Sequence, residues 1–217
     1  MKTRSRRRPD PREPAARVVL VAIAGGSGSG KTWLAAKLRR HLGPMAGLIS
    51  LDDFYRDLAH VPLAERPRTN FDSPAAIDWR RLEAALRAIA AGQAPLLPRY
   101  DFTRHTRADQ PRRWRKRPIV LVEGLWPWVR ARLRRWYALR IFRAVEADRR
   151  YTRRLRRDIR QRGRTPAEVE RQWVAQVEPM YARFVAPQRR TADVVVGGEL
   201  EAAEIARLAG RIRALAR

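Results

Sequence analysis

Five short apolar runs, rich in β-branched residues, alternate along the chain with stretches in which apolar residues recur every three or four positions. The first pattern is typical of strands buried in a parallel sheet, and the second is typical of amphipathic helices. The predicted strands are residues 18–24, 45–51, 118–124, 138–143 and 192–197. Because strands and helices alternate, the pattern predicts an α/β fold whose five-stranded parallel sheet is covered by helices on both faces.

The segments between these strands are predicted to be helices, loops and one turn. The predicted helices cover residues 33–42, 77–89, 146–164 and 205–215, and another helix starts at Thr165. Either Ser73 or Asp78 can cap the second helix. Residues 56–74 and 95–107 are rich in proline and polar residues, which indicates loops outside the core. Residues 126–128 (Trp-Pro-Trp) are predicted to form a turn.

A glycine-rich stretch, GGSGSGKT, separates the first strand from the first helix. It fits G-x-x-x-x-G-K-[ST], in which glycines let backbone N–H groups converge on an anion at the start of a helix. Lys31 can then reach the β- and γ-phosphates, and the Thr32 hydroxyl can ligate Mg²⁺. A glycine turn without a ligand is the alternative, and the strand–loop–helix order disfavours it. The predicted ATP-binding residues are Gly25, Gly26, Ser27, Gly28, Ser29, Gly30, Lys31 and Thr32, and the fold expected is of the P-loop NTPase type.

Carboxylates follow two of the predicted strands. Asp52 and Asp53 come directly after the second strand, and Glu123 ends the third. In open α/β sheets ligands sit at the carboxyl ends of strands, so these side chains should lie near the glycine loop. We expect Asp52 to act as the general base, one of the two aspartates to cap the next turn, and Glu123 to help Thr32 hold Mg²⁺.

The length of 217 residues fits one domain, at residues 17–217, after a basic arm at residues 1–16 that we expect to be disordered. The chain has no cysteine, which excludes disulfides and thiolate chemistry. Arginines at the start of the chain superficially resemble a twin-arginine export signal, but the apolar run after them leads straight into the glycine loop. No apolar run approaches the ~20 residues that span a membrane. A cytoplasmic protein is therefore expected.

The formal net charge of +26 is extreme, and it could indicate nucleic-acid binding. However, the charge is spread along the chain, and no single-strand stacking platform or nucleic-acid-binding module is recognisable. A solvated, arginine-biased surface is therefore favoured, and a nucleic-acid partner is not expected. Only four of the 48 basic residues are lysines, which makes the lysine at position 31 conspicuous.

The helix predicted at residues 146–164 is strongly basic, and it carries nine arginines. Arg150, Arg154 and Arg157 fall on one face at i, i+4 and i+7. A run of like charges is usually a solvated face, but bound polyphosphate would also compensate it. If polyphosphate compensates these charges, the segment at about residues 146–171 is a lid that supplies charge to the transition state and excludes water.

Eight stretches together resemble uridine–cytidine kinases of the phosphoribulokinase and uridine kinase family, and they cover nearly the whole chain after the arm. In chain order they are GGSGSGKT, SLDDFYRD, NFDSP, LPRYDFTRHTR, IVLVEG, RRLRRDIRQRGR, QWVAQVEPMYARFVAP and ADVVV. The glycine loop alone admits many functions, whereas the fourth and sixth stretches are far more specific to pyrimidine-nucleoside kinases. The resemblance implies transfer of phosphate from ATP (or GTP) to the 5′-hydroxyl of uridine and cytidine in pyrimidine salvage.

The resemblance also implies roles for individual residues. Asp52 would be the base for the 5′-hydroxyl, with Tyr55 nearby, and Asp72 would bind the ribose hydroxyls together with Arg154. The base pocket would comprise Tyr100, Phe102 and His105, Gln172 would help to close the acceptor site, and Arg157, Arg162 and Arg164 would serve the phosphates and the lid. Lys31 and Arg157 are the expected catalytic cations, and Thr32 and Glu123 would organise Mg²⁺. The resemblance also implies a homo-oligomer, either a tetramer or a dimer.

One departure from the family pattern is the pair of tryptophans at Trp126 and Trp128, which could reshape a loop or form a subunit contact. Two alternatives stay open. A sister kinase could act on another metabolite with a hydroxyl group, such as pantothenate, nicotinamide riboside or ribulose 5-phosphate. A nucleotide-dependent nucleic-acid-binding protein is the second alternative.

Overall fold

The computed structural model describes residues 18–217, so the predicted arm at residues 1–16 lies outside the described residues. The strands are β1 (Val19–Gly25), β2 (Ala46–Ser50), β3 (Leu96–Leu97), β4 (Tyr100–Asp101), β5 (Thr106–Arg107), β6 (Arg112–Arg113), β7 (Ile119–Gly124), β8 (Tyr137–Arg143) and β9 (Val194–Val196). The α-helices are α1 (Lys31–Leu42), α2 (Trp79–Ala90), α3 (Ala131–Arg134), α4 (Ala147–Arg162), α5 (Pro166–Gln172), α6 (Glu178–Met180) and α7 (Ala202–Ala214).

The main sheet has five parallel strands in the order β2-β7-β1-β8-β9. All five strands predicted from the apolar runs are present, so the α/β prediction is confirmed. Strands β2 and β7 lie on one side of β1, and β8 and β9 lie on the other. In open α/β sheets, ligands bind where the strand order reverses in this way. The fold therefore places the loop after β1 at the centre of the carboxyl edge.

Alternate residues of β1 belong to two separate cores. Leu20 and Ala22 face a core that includes α2, whereas Val21 and Ile23 face a core formed with α1 and α7. Because both faces are covered, the central strands are apolar throughout, as the sequence pattern predicts. Among residues 18–217, no helix has the length and hydropathy that a bilayer crossing requires.

The two predicted loops contain more structure than the sequence indicates. Ser73 caps a short 3₁₀ turn at Pro74–Ala76 and Asp78 caps α2, so both candidate caps are used, each on its own turn. The prediction that residues 95–107 lie outside the core is wrong, because β3 pairs with β6, β4 pairs with β5, and Tyr100 is buried. Two-residue strands are too short to produce an alternating pattern.

The Trp126–Trp128 turn is buried, so the interpretation of these rings as a subunit contact is wrong. Both side chains are 0% exposed and pack in the same core as α2. The indole N–H of Trp128 donates to Thr191 Oγ1 at 3.2 Å, and its backbone N–H donates to Gln188 Oε1 at 3.3 Å. The tryptophans therefore tie the end of β7 to the segment that precedes β9.

We expect Trp126→Ala to lower the free energy of unfolding by about 3–5 kcal/mol, because it leaves a large cavity in a closed core. Trp33, which is 46% exposed, provides the matched control, and Trp33→Ala should cost less than about 1 kcal/mol. Urea denaturation of both variants measures the difference. Equal losses of stability in the two variants would contradict the buried placement.

The segment after α4 is helical but irregular. A capping box at Thr165 starts α5, which continues through two π-helical segments, Trp173–Val177 and Tyr181–Val185. Val169, Val177 and Val185 are all buried, and their spacing of eight residues reflects the wider π turns. Trp173 and Met180, which lie between these valines, are only partly buried.

Candidate active site

The glycine loop joins β1 to α1, in the strand–loop–helix order that the sequence predicts. Gly28 and Gly30 have φ values of 78° and 83°, which strongly favour glycine. Helix α1 begins at Lys31, and no side chain caps it. Its first N–H groups are therefore free to bind an anion, and the positive end of the helix dipole favours one there.

Sheet register brings the predicted magnesium-binding residues together. Glu123 is paired with Ser50 across β7 and β2, and Ser50 Oγ donates to Glu123 Oε1 at 2.8 Å. Thr32 Oγ1 donates to Glu123 Oε2 at 3.2 Å. Burial raises the pKa of Glu123, and the Lys31 charge opposes that shift. Hydroxyl and carboxylate oxygens are the ligands that Mg²⁺ prefers, so the residues present fit this ion.

Asp52 lies in a 3₁₀ turn at Leu51–Phe54, immediately after β2. The prediction that an aspartate caps this turn is wrong, because Ser50 Oγ accepts the Asp52 N–H at 3.3 Å. The cap is thus Ser50, two residues before Asp52, which leaves the Asp52 carboxylate to line the cavity with Lys31. The neighbouring Asp53 does not line the cavity, and burial raises its pKa.

A cavity of about 1150 Å³ opens at the carboxyl edge of the sheet. The predicted site residues that line it are Ser27, Lys31, Asp52, Tyr55, Asp72, Phe102, His105, Arg154, Arg157, Arg162, Arg164 and Gln172. The other predicted site residues do not line it, and they are Gly25, Gly26, Gly28, Ser29, Gly30, Thr32, Tyr100 and Glu123. One cavity therefore joins the glycine loop to most of the residues predicted for the acceptor.

Aromatic rings form one wall of this cavity. Phe71, which the sequence analysis did not assign, stacks on His105 with 4.9 Å between ring centroids and 21° between planes. Tyr100 lies behind the wall, with its ring 5.3 Å from that of Tyr55 and 5.4 Å from that of Phe102. Phe71 stands within the NFDSP stretch, one residue before Asp72, and this position was the available signal.

His105 is held in an unusual backbone conformation, with φ of 51°. Burial lowers the pKa of its imidazole, and the charges of Arg164 and Arg162 lower it further. The ring is therefore neutral at physiological pH, with one nitrogen that donates and one that accepts.

Arg154 connects Ser27 of the glycine loop to Asp72 and Gln172. Its buried guanidinium donates to Ser27 Oγ at 2.9 Å and to Gln172 Oε1 at 3.1 Å. It also lies 3.4 Å from Asp72 Oδ1. Asp72 and Arg154, both predicted to bind the ribose hydroxyls, are thus neighbours in the structure.

Asp158, which the sequence analysis did not select, is the carboxylate on which four arginines in and after α4 converge. It is fully buried and lies 2.8 Å from Arg157 and Arg164, and 3.5 Å from Arg154 and Arg162. Burial acts to raise the pKa of Asp158, but the surrounding arginine charges outweigh burial and lower it. The i,i+4 spacing from Arg154 and to Arg162 was a signal that could have identified it.

Arg150 does not share the cavity-facing role expected for its helix face. It is buried, pairs with Glu178 at 2.9 Å, and stacks on Tyr181 at 3.8 Å. A Cβ added to Gly26 would come within 2.9 Å of its guanidinium. Arg150 thus anchors the segment after α5 against the back of the glycine loop. Protein carboxylates therefore compensate part of the charge that the sequence analysis assigned to polyphosphate.

Comparisons with known proteins agree with this geometry. The sequence model of the phosphoribulokinase / uridine kinase family matches residues 20–201. A uridine kinase from Chloroflexus aggregans is 43% identical over 181 residues, which cover 83% of this chain and 87% of that protein. A uridine kinase from Deinococcus deserti is 39% identical over 200 residues, with coverages of 91% and 96%.

Among solved structures, phosphoribulokinase from Rhodobacter spheroides superposes with a TM-score of 0.64. The two chains are 19% identical, and the match covers 84% of this chain and 71% of that one. This likeness shows that the two chains share a fold. The match to the family model and the two relatives together show that the chain belongs to the phosphoribulokinase / uridine kinase family.

Proposed function

We propose that this protein transfers the γ-phosphoryl group of ATP to the 5′-hydroxyl of uridine and cytidine, giving UMP and CMP. The observation that carries the proposal is one cavity that contains Lys31 of the glycine loop, the Asp52 carboxylate and the Asp72–Arg154 pair. The relatives named uridine kinase support this choice of acceptor.

The residues of the cavity have complementary roles in this reaction. Asp52 accepts the proton of the 5′-hydroxyl as its oxygen bonds to the γ-phosphorus and the bond to the β-phosphate oxygen breaks. Lys31, Arg157 and Arg162 neutralise the charge on the transferred group. GTP offers the same phosphate chain, so the cradle itself does not discriminate between the two donors.

Thr32 and Glu123 would hold Mg²⁺ through their oxygen atoms. When bound, the ion neutralises negative charge on the β- and γ-phosphate oxygens. The hydrogen bonds from Ser50 and Thr32 fix both oxygens of the Glu123 carboxylate in place.

The acceptor side of the cavity suits a pyrimidine ribonucleoside. Asp72 can accept two hydrogen bonds from a 2′,3′-diol, while Arg154 and Gln172 hold that side of the site in position. The base would lie against the Phe71–His105 wall. A neutral imidazole can donate to the uracil carbonyl or accept from the cytosine amine, so both bases are accommodated.

A substrate panel tests the proposal. We expect ATP- and Mg²⁺-dependent turnover of uridine and cytidine, and none of adenosine, nicotinamide riboside, pantothenate or ribulose 5-phosphate. We expect kcat/KM for deoxycytidine to be about 5- to 150-fold lower than for cytidine. Without the 2′-hydroxyl, one oxygen of Asp72 has no hydrogen-bond donor, which costs about 1–3 kcal/mol. Turnover of another acceptor in preference to both pyrimidine nucleosides would contradict the proposal.

His105→Leu should raise the KM for uridine about tenfold, because it removes one net hydrogen bond to the base. The KM for ATP should change less than about twofold, since His105 lies on the acceptor side of the cavity. Steady-state kinetics with each substrate varied in turn measures both values. His60→Leu is the control, because His60 is exposed and does not line the cavity. An unchanged KM for uridine would remove His105 from the base pocket.

A further inference from the structure

Basic residues from four separate segments gather at the amino edge of the sheet, opposite the cavity. Helices α1 and α7 end at this edge, and strands β7 and β8 begin there. We call these residues the basic edge: Arg39, Arg40, Arg115, Lys116, Arg117, Arg135 and Arg213. Two hydrogen bonds join three of these segments, from Arg213 to the His41 carbonyl at 2.9 Å and from Arg117 to the Pro44 carbonyl at 2.8 Å. The fourth segment leads into β8, which is separated from β7 by β1 alone.

Among the described residues, no carboxylate pairs with a member of the basic edge, although Glu83 pairs with the nearby Arg132 at 2.6 Å. Residues 39–45, 113–118, 132–137 and 211–217 contain no aspartate or glutamate. Within residues 18–217, no ion pair involves a member of the basic edge. Asp193, at the entry to β9, is engaged by Arg140 at 2.7 Å. The positive charge at this edge is therefore unneutralised by the described part of the protein.

Helix dipoles account for only part of this arrangement. Arg39, Arg40 and Arg213 lie in the last turns of α1 and α7, where a cation is favoured. Arg115, Lys116 and Arg135 precede β7 and β8 and cap no long helix, yet all three are exposed. Like charges at close range repel one another, so an external anion would stabilise this edge.

The chemistry of the edge favours a phosphate backbone. Five adjacent strands at ~4.8 Å spacing make an edge about 20 Å wide, and duplex DNA carries one charge per ~1.7 Å. Arginine, which dominates the edge, can bind phosphate bidentately. Among the described residues, Leu215 is the one large, exposed apolar side chain in these segments. The edge thus offers neither a stacking platform for single strands nor a set of membrane anchors.

We propose that the basic edge binds the phosphate backbone of duplex nucleic acid without reading its bases. The sequence alone favours a solvated surface because the charges are scattered along it, whereas folding collects seven of them on one edge, and none of the seven pairs with a described carboxylate. Since this edge lies opposite the cavity, a bound duplex leaves the cavity open to small molecules.

The test compares two triple variants of the full-length chain with equal loss of charge. Arg115→Gln, Lys116→Gln and Arg135→Gln change the basic edge, while Arg81→Gln, Arg99→Gln and Arg207→Gln change exposed arginines elsewhere. Fluorescence anisotropy with a DNA duplex of about 20 base pairs gives Kd across about 0.05–0.3 M salt. We expect the edge variant to bind at least about tenfold more weakly at ~0.1 M salt, with a salt slope reduced by about two to three. The control should change less than about threefold.

Equal weakening in both variants would overturn the proposal, because the binding would then follow total charge alone. Absence of duplex binding by the wild-type chain at ~0.1 M salt would also overturn it, as would preferential binding to phosphatidylserine vesicles or to single strands. Unchanged ATP-dependent turnover by the edge variant would show that the fold is intact and that the two surfaces are independent.

Discussion

Asp52→Asn is expected to reduce kcat by about 10²- to 10⁴-fold while the affinity for ATP stays within about threefold. The carboxylate lies at the carboxyl end of β2 and lines the same cavity as Lys31, so it can accept a proton from a hydroxyl placed before the γ-phosphate. An amide has nearly the same shape but cannot accept that proton, and general-base catalysis typically contributes 10²–10⁴-fold. Single-turnover kinetics with saturating ATP measures the chemical step.

Asp53→Asn is a matched control because it makes the same change one residue away, at a carboxylate that does not line the cavity. Its kcat should stay within about threefold of the wild type. If Asp52→Asn retains turnover within tenfold, Asp52 is not the base. If both variants lose activity equally, the loss reflects the net charge near Glu123 rather than proton transfer.

Much of the fold could be predicted because its signals are local. Each central strand is a short apolar run, and the glycine loop has a fixed spacing. The order of strand, loop and helix then places Lys31 and Asp52 at one edge of the sheet. The two-residue strands β3 to β6 leave no such pattern, so the burial of Tyr100 could not be read from polarity. Burial there depends on contacts between distant segments.

The candidate site was predictable where a side chain has one evident partner. Thr32 was predicted from the glycine-loop motif, and Glu123 was predicted from its position at the end of a strand. In the structure, Thr32 donates a hydrogen bond to Glu123. Charge compensation was harder to predict, because a run of arginines does not reveal which carboxylates turn inward. Glu178 pairs with Arg150 across 28 residues, and Asp158 is hidden within the basic run itself.

The burial of Trp126 and Trp128 likewise could not be predicted from the sequence. A large ring in a polar context can be either a surface contact or a core filler, and the sequence does not distinguish them. The structure resolves this because Trp128 finds its hydrogen-bond partners in Gln188 and Thr191, some 60 residues later. Gln188 is only 4% exposed. It can be buried because its side chain accepts from the Trp128 backbone N–H and donates to the Leu125 carbonyl.

Asp158→Asn is expected to lower the free energy of unfolding by about 3–5 kcal/mol, because it leaves the arginines around a buried site without their counter-charge. Arg157, Arg162 and Arg164 should also lose their fixed positions, which would lower kcat for ATP-dependent transfer by at least about tenfold. Asp148 is an exposed residue of the same helix, so Asp148→Asn should leave the free energy of unfolding and kcat nearly unchanged. Urea denaturation and steady-state kinetics on the same preparations measure the two effects.

The pH dependence distinguishes lost charge compensation from a simple packing defect. The pKa of Asp158 is lowered in the folded state from its ordinary value of 3.8. Its stabilising effect is therefore fully present above that value and lost as the pH falls through the lowered pKa. The stability difference between wild type and Asp158→Asn should thus be constant from pH 7 to about pH 5 and shrink below about pH 4. A difference that persists unchanged into acid would mean that shape, and not charge, makes Asp158 necessary. Asp158→Glu keeps the charge on a longer side chain, so it should recover more stability than Asp158→Asn if the charge is what matters.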